Sequence, residues 1–209
     1  MNPRELFDRY FNQCPLVAII RGVTPGEAID IAGALYEGGI RIIEVPLNSP
    51  EPLKSVRSIV DALGEQALIG AGTVLQPEDV SRVRDAGGQI VVSPNMNPAV
   101  IRATVDAGMV SSPGVFTPSE AFTALDAGAH TLKLFPAEAA SPKVVKSMRA
   151  VLPKDVPFLV VGGVTPESVA GWLEAGADGF GLGGGLYKPG QSPEESREKA
   201  RAYAEALRR

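Results

Sequence analysis

The chain has 209 residues, 44% apolar and 21% charged, with a formal net charge of −4. This is the profile of one ordinary globular domain, expected over 1–209, and it excludes a largely disordered chain and a membrane protein. Lysine and arginine are scattered among a slight excess of acids, which excludes a basic stripe for nucleic acid.

One cysteine, Cys14, and one histidine, His130, rule out an intramolecular disulfide, cysteine and histidine metal cages, and any mechanism that needs two imidazoles. No metal and no cofactor is expected. The amino terminus, Met1-Asn2-Pro3-Arg4-Glu5, carries no apolar run of signal-peptide type, so an unprocessed chain in a reducing cytoplasm is expected.

Taken in chain order, residues 4–12, with Leu6, Phe7, Tyr10 and Phe11, read as an amphipathic helix that covers the floor of the domain. Short apolar runs then alternate with helical patterns at the spacing of βα units. Strands are expected at 16–20, 40–45, 68–71, 89–93, 109–112, 131–135, 158–161 and 179–182. Helices are expected near 25–38, 50–63, 77–86, 97–107, 117–127, 142–151, 166–175 and 193–208.

Each helix is introduced by a cap residue and a proline: Thr24-Pro25, Ser49-Pro50, Gln76-Pro77, Asn97-Pro98, Thr117-Pro118, Ser141-Pro142, Thr165-Pro166 and Ser192-Pro193. Proline is expected at the first helical position, where a backbone N–H would have no partner. The pairs Glu37-Gly38, Ala86-Gly87, Ala107-Gly108, Ala127-Gly128 and Ala175-Gly176 supply stops, with glycine free to turn left-handed. Eight apolar strands, each followed by a helix, predict an α/β fold: a (β/α)8 TIM barrel with an extra N-terminal helix. A doubly wound open sheet is the alternative, against which stands the missing Gly-x-Gly-x-x-Gly turn after the first strand.

Polar residues inside such strands mark the place to look for chemistry, because barrel active sites form at the strands' carboxyl ends. Period-two alternation turns Leu132 and Leu134 toward the helices and Lys133 inward with Thr131 and Phe135. Burial disfavours an ammonium, which leaves a neutral amine able to attack a carbonyl; the alternative is a structural ion pair. Glu44 closes the second strand and, with histidine so scarce, is the leading general acid/base. A barrel-mouth salt bridge with Arg21 or Lys133 is its alternative role. Arg21 ends the first strand, its planar fork suited to a carboxylate, or else to a surface ion pair.

Gly162-Gly163 after the seventh strand and Gly183-Gly184 after the eighth stand where barrels offer backbone N–H groups to phosphate. Thr73, Pro94 and Phe116, after strands three, four and five, are expected to line the pocket. His130 is expected at the opposite, stability end, and Trp172 in helix packing. Helix 193–208 reads as an outer-surface element.

Ile20-Arg21-Gly22, Glu44-Val45-Pro46-Leu47-Asn48-Ser49-Pro50, Gly70-Ala71-Gly72-Thr73-Val74, Leu132-Lys133-Leu134-Phe135-Pro136-Ala137-Glu138 and Gly162-Gly163-Val164 together resemble the bacterial 2-keto-3-deoxy-6-phosphosugar aldolases. The resemblance runs from about Cys14 to Gly190, and Lys-Leu-Phe-Pro-Ala-Glu is its most specific element. It implies a metal-free class I aldolase, usually a homotrimer, that cleaves a phosphorylated keto-deoxy sugar acid to pyruvate and glyceraldehyde 3-phosphate.

By that resemblance Lys133 forms the imine, Glu44 is the acid/base, and Arg21 with Thr73 binds the pyruvyl carboxylate. Gly162, Gly163, Gly183 and Gly184 match the phosphate loops, with glycine at Gly184 where serine is frequent. Two substrate-binding positions depart from the phosphogluconate branch, which has arginine at Asn48 and threonine at Val161. The Pro-Leu-Asn-Ser-Pro run is more similar to the phosphogalactonate branch. The expected substrate is therefore 2-dehydro-3-deoxy-6-phosphogalactonate, the alternatives being its gluconate epimer or both. More distant alternatives are a phosphate-binding barrel isomerase or epimerase, with Lys133 acting only electrostatically, and a catalytically silent metabolite-binding barrel.

Overall fold

The computed structural model describes residues 1–208. Its strands form where the apolar runs lie: β1 Leu16–Ile19, β2 Ile42–Pro46, β3 Leu68–Gly72, β4 Ile90–Val92, β5 Val110–Ser112, β6 Gly114–Val115, β7 Leu132–Leu134, β8 Phe158–Val161 and β9 Gly179–Leu182. The helices are α1 Pro3–Phe11, α2 Ala28–Glu37, α3 Pro52–Leu63, α4 Pro77–Asp85, α5 Pro98–Asp106, α6 Pro118–Asp126, α7 Pro142–Arg149, α8 Val169–Glu174 and α9 Pro193–Ala206. Among the described residues no helix is long and apolar enough to cross a membrane.

All strand pairings are parallel, in the order β5-β4-β3-β2-β1-β9-β8-β7-β6. The eight expected strands become nine segments because Pro113, which has no N–H to give, splits the fifth into β5 and β6. The two halves serve opposite neighbours: β5 pairs with β4, and β6 with β7. The Pro113 carbonyl still accepts from the Lys133 N–H at 3.0 Å, and Ser111 O from the His130 N–H at 3.1 Å. The sheet closes there into the barrel.

Alternation along the strands sorts the apolar side chains into two cores. Leu16, Ile20, Ile43, Leu132, Leu134 and Phe180 pack outward under the helices together with Trp172. Val17, Ile19, Ile42, Leu68, Ile90, Val110, Leu159 and Val161 fill the interior with Phe7, Tyr10 and Phe11 of α1. Phe7 and Phe11 stack with ring centroids 4.8 Å apart. The Tyr10 hydroxyl donates to Glu65 O at 3.2 Å and Arg4 to Asp155 O, both carbonyls lying just before a strand. The expected floor helix is therefore in place, at the amino ends of the strands. His130 lies toward that same end, its Nδ1 accepting from the Ser111 N–H at 3.1 Å.

Five helices start with the cap-proline pair as expected, but α2, α3 and α8 do not. After β1 and β8 the proline opens a separate turn, closed by Glu27 N–H to Thr24 O at 3.2 Å and by Ser168 N–H to Thr165 O at 3.0 Å. Helices α2 and α8 come after that turn, capped by Glu27 and Ser168. Pro52 rather than Pro50 heads α3, and Glu51 before it is left-handed at φ 40°. Gly38 stays helical at φ −73° and Gly39 makes the left-handed exit at φ 107°, one residue later than expected.

Emptying the floor is expected to destabilise the barrel without touching its other end. Phe7→Ala removes a side chain that is fully buried, costing about 3–5 kcal/mol and lowering Tm by roughly 6–20 °C. Calorimetry checks the loss, and the folded variant is expected to keep wild-type kinetics.

Candidate active site

Two charged residues face the barrel interior, and small neighbours make room for them. The register sets Glu44 between Ile19 of β1 and Gly70 of β3, and Lys133 between Gly114 of β6 and Leu159 of β8. A Cβ added at Gly72 would lie 2.0 Å from Glu44 Oε2 and 2.3 Å from its Cδ, so only glycine leaves space for that carboxylate.

Glu44 is 2% exposed, and its Oε2 is buried with no hydrogen-bond partner. Lys133 is 7% exposed, among Val17, Ile19, Val92, Leu159, Val161 and Gly181, with Nζ 4.8 Å from the Phe135 ring centroid. Among the described residues neither joins an ion pair within 4.0 Å, so the barrel-mouth salt bridge weighed for Glu44 is not formed.

Burial governs both titrations. Desolvation pushes Glu44 up to about 7, against the opposing pull of Lys133 and then Arg21. Desolvation draws Lys133 down to about 8; the Glu44 carboxylate raises it and the Arg21 cation lowers it further. Near neutral pH the pair holds a lysine close to losing its proton and a carboxyl close to keeping one.

At the rim, Arg21 donates to Asn48 Oδ1, and both of its terminal nitrogens reach Thr73 Oγ1 at 3.4 Å. Thr73 has a left-handed backbone, φ 55°, a conformation that non-glycine residues hold only under tertiary constraint. Ser49 Oγ accepts from the Gly22 N–H at 2.9 Å and ties the β1 and β2 loops together.

A cleft of about 420 Å³ runs from Arg21 past Phe135, Glu138 and Val161 to Gly162, Gly163, Gly183 and Gly184. Ile19, Val161 and Gly181 line both this cleft and the surroundings of Lys133. The amine therefore sits beside the base of an opening that carries the Arg21 guanidinium at one side and the two glycine loops, with the Glu138 carboxylate packed on the first of them, at the other.

Lys133, Glu44, Arg21, Thr73, Val161 and the four loop glycines thus fall in one neighbourhood. Pro94 and Phe116, like Lys133, Glu44 and Thr73, are not among the residues that line the cleft itself. Pro94 is half-buried against β6, where a Cβ on Gly114 would meet its carbonyl at 2.3 Å. Phe116 is 36% exposed at the head of α6, its N–H donating to the capping Glu120 at 2.8 Å.

Three further residues join the neighbourhood: Asn48, noted in the sequence only as a departure from the phosphogluconate branch, and Phe135 and Glu138, to which the sequence assigned no site role. Asn48 orients Arg21. Phe135 was legible, since it alternates with Lys133. Glu138 packs on the seventh-strand loop: a Cβ at Gly162 would come within 2.0 Å of its Oε2, and one at Gly163 within 2.7 Å of its Cγ. Both glycines have positive φ, 116° and 64°, so the backbone path alone favours glycine there whatever else binds.

The profile of the KDPG and KHG aldolase family matches residues 7–195. The chain belongs to that family. This aldolase, a carbon-carbon lyase, is 50% identical over 194 residues to 2-dehydro-3-deoxy-6-phosphogalactonate aldolase of Escherichia coli (strain K12), covering 93% of this chain and 95% of that protein. It is 33% identical over 161 residues to the KHG/KDPG aldolase of the same organism, covering 76% and 74%. The solved structure of native KDPGal superposes on it with a TM-score of 0.92 at 49% identity, over 94% of this chain and 95% of that one.

A lysine whose pKa is drawn from 10.5 to about 8 by folding binds its proton more tightly in the unfolded chain. Stability therefore rises as pH climbs through that window, and the penalty is full below about 8. Lys133→Met is expected to raise Tm by a few degrees at neutral pH, with the gain shrinking toward pH 10.5. Thermal scans across that range check it.

Proposed function

We propose that this aldolase cleaves 2-dehydro-3-deoxy-6-phosphogalactonate to pyruvate and glyceraldehyde 3-phosphate through an imine on Lys133. The observation that carries this reading is the unpaired, buried amine at the base of the cleft, electrostatically coupled to the unpartnered Glu44 carboxyl.

Neutral Lys133 attacks the C2 carbonyl, and the Glu44 carboxylic acid protonates the hydroxyl of the carbinolamine, so that water leaves and a protonated imine and the Glu44 carboxylate remain. The Glu44 carboxylate takes the proton of the C4 hydroxyl; the C3–C4 electron pair flows into the imine, leaving an enamine and the aldehyde. Glu44 returns the proton to C3, and water hydrolyses the resulting imine to free pyruvate and the amine. Arg21, held by Asn48 and Thr73, receives the carboxylate. The N–H groups of the two glycine loops receive the phosphate.

Val161 supports the galactonate epimer, since its methyl groups stand in the cleft where a threonine would add a hydroxyl. The identity of 50% to the phosphogalactonate relative, against 33% to the KHG/KDPG one, points the same way.

In this reading 1–209 is one catalytic domain, with Arg209 outside the described residues. The chain assembles as a homotrimer, to whose contacts we assign the exposed Leu75, Phe116 and Phe122. It works in a reducing cytoplasm, with which the free, buried Cys14 is in keeping.

Steady-state kinetics on both epimers tests the assignment. A kcat/KM at least about tenfold higher on the galactonate epimer is expected, with Val161→Thr narrowing that ratio several-fold; a tenfold preference for the gluconate epimer would reverse the substrate. Glu44→Gln is expected to lower kcat by about 10²–10⁴-fold. Turnover at the wild-type rate would remove Glu44 from the chemistry.

A further inference from the structure

The two glycine loops belong to different strands. The hydrogen-bonded register of β8 with β9 ends at Val161 opposite Gly181, just before the loops begin. Beyond that point a buried phenol touches both. Tyr203, on the inner face of α9 and 3% exposed, donates its hydroxyl to Val164 O in the first loop at 2.9 Å. A Cβ on Gly185 in the second loop would lie 2.6 Å from that hydroxyl oxygen and 3.6 Å from Val164 O. The hydroxyl is thus wedged between the loops, in contact with both.

The same helix holds the second loop by another route. Gln191 donates to Leu186 O at 2.8 Å and to Ser196 Oγ at 2.9 Å, while Lys199 Nζ donates to Gln191 Oε1 at 2.7 Å. The Leu186 and Tyr187 N–H groups turn back to Gly183 O at 2.8 and 3.0 Å. Helix α9 therefore reaches the backbone of both loops.

We propose that Tyr203 is a positioning residue that fixes the spacing of the two glycine loops and thereby sets the affinity for the phosphate end of the substrate. This rests on the assignment of those loops to phosphate. A dianion bound by N–H groups from two loops needs both sets of donors aimed at one point, and a displacement of a few tenths of an ångström weakens each bond. Burial, and then the nearby Glu167 carboxylate, push the Tyr203 phenol up, so it keeps the proton it donates. The reacting carbon atoms lie at the other end of the substrate, above Lys133, and do not depend on this spacing.

Tyr203→Phe tests the assignment, with kinetics on the phosphorylated substrate and on its unphosphorylated analogue. Loss of the hydroxyl is expected to raise KM for the phosphorylated substrate about three- to tenfold, with kcat within about twofold and the unphosphorylated analogue unaffected. Gly185→Ala, which drives a methyl against the same hydroxyl, is expected to reproduce the split. Tyr10→Phe is the matched control: it deletes a hydroxyl bound to Glu65 O at 3.2 Å at the far end of the barrel, and is expected to move neither KM. Tyr203→Phe with an unchanged KM, or with KM raised equally for both substrates, overturns the proposal. A wild-type enzyme with no preference for the phosphorylated substrate overturns the phosphate loops themselves.

Discussion

An ammonium or a carboxylate inside an apolar interior is strongly unfavourable unless it is paired, hydrogen-bonded or discharged. Lys133 and Glu44 are placed there, and the barrel gives neither a hydrogen-bonded counter-ion. The system relaxes by moving the two titrations toward each other, until amine and acid exchange protons near the same pH. That compromise would be a defect in a purely structural core. In an enzyme that must attack a carbonyl and shuttle a proton, it supplies the nucleophile and the acid/base together.

Other features arise from keeping those two groups dry and accessible. Gly72 exists where the Glu44 carboxylate needs the space of a side chain. The amino end is filled by the stacked Phe7 and Phe11 of α1, and the cleft beside the lysine opens at the carboxyl end. Stability and chemistry thus occupy opposite ends of one barrel. The polar rim of Arg21, Asn48 and Thr73 meets the interior at the first three strands, and the glycine loops meet it at the last two.

Much of this was legible because the signal was a violation of pattern. A lysine in Thr-Leu-Lys-Leu-Phe and a glutamate in Ile-Ile-Glu-Val-Pro stand out where a strand buried on both faces should be apolar, and period-two alternation tells which way they point. The places of α1, His130 and Trp172 were legible from position instead: an amphipathic run before the first strand, the residue that precedes the lysine strand, and the middle of a helix. What escaped depends on backbone path. Gly26 after Thr24-Pro25 is itself a turn signal, but nothing local distinguishes Thr165-Pro166, which opens a turn, from Asn97-Pro98, which opens a helix. The break at Pro113, which has no N–H for the ladder, falls where the strand changes partner from β4 to β7, a pairing that no local signal announces. Phe116 lies beyond that break, 36% exposed, and its backbone N–H serves the α6 cap. Helix α9 read as an outer surface because its charged face dominates its composition. Tyr203 and the Gln191 network lie on the face that the sequence makes least conspicuous.

The central claim is that Lys133 is uncharged often enough, near neutral pH, to capture a keto acid. Borohydride reduction in the presence of pyruvate, followed by peptide mapping across a pH series, tests it most directly. The account predicts a single reduced adduct on Lys133, forming faster as pH rises toward about 8 and absent in Lys133→Met. No adduct, or an adduct on another lysine with Lys133 unmodified, would contradict it.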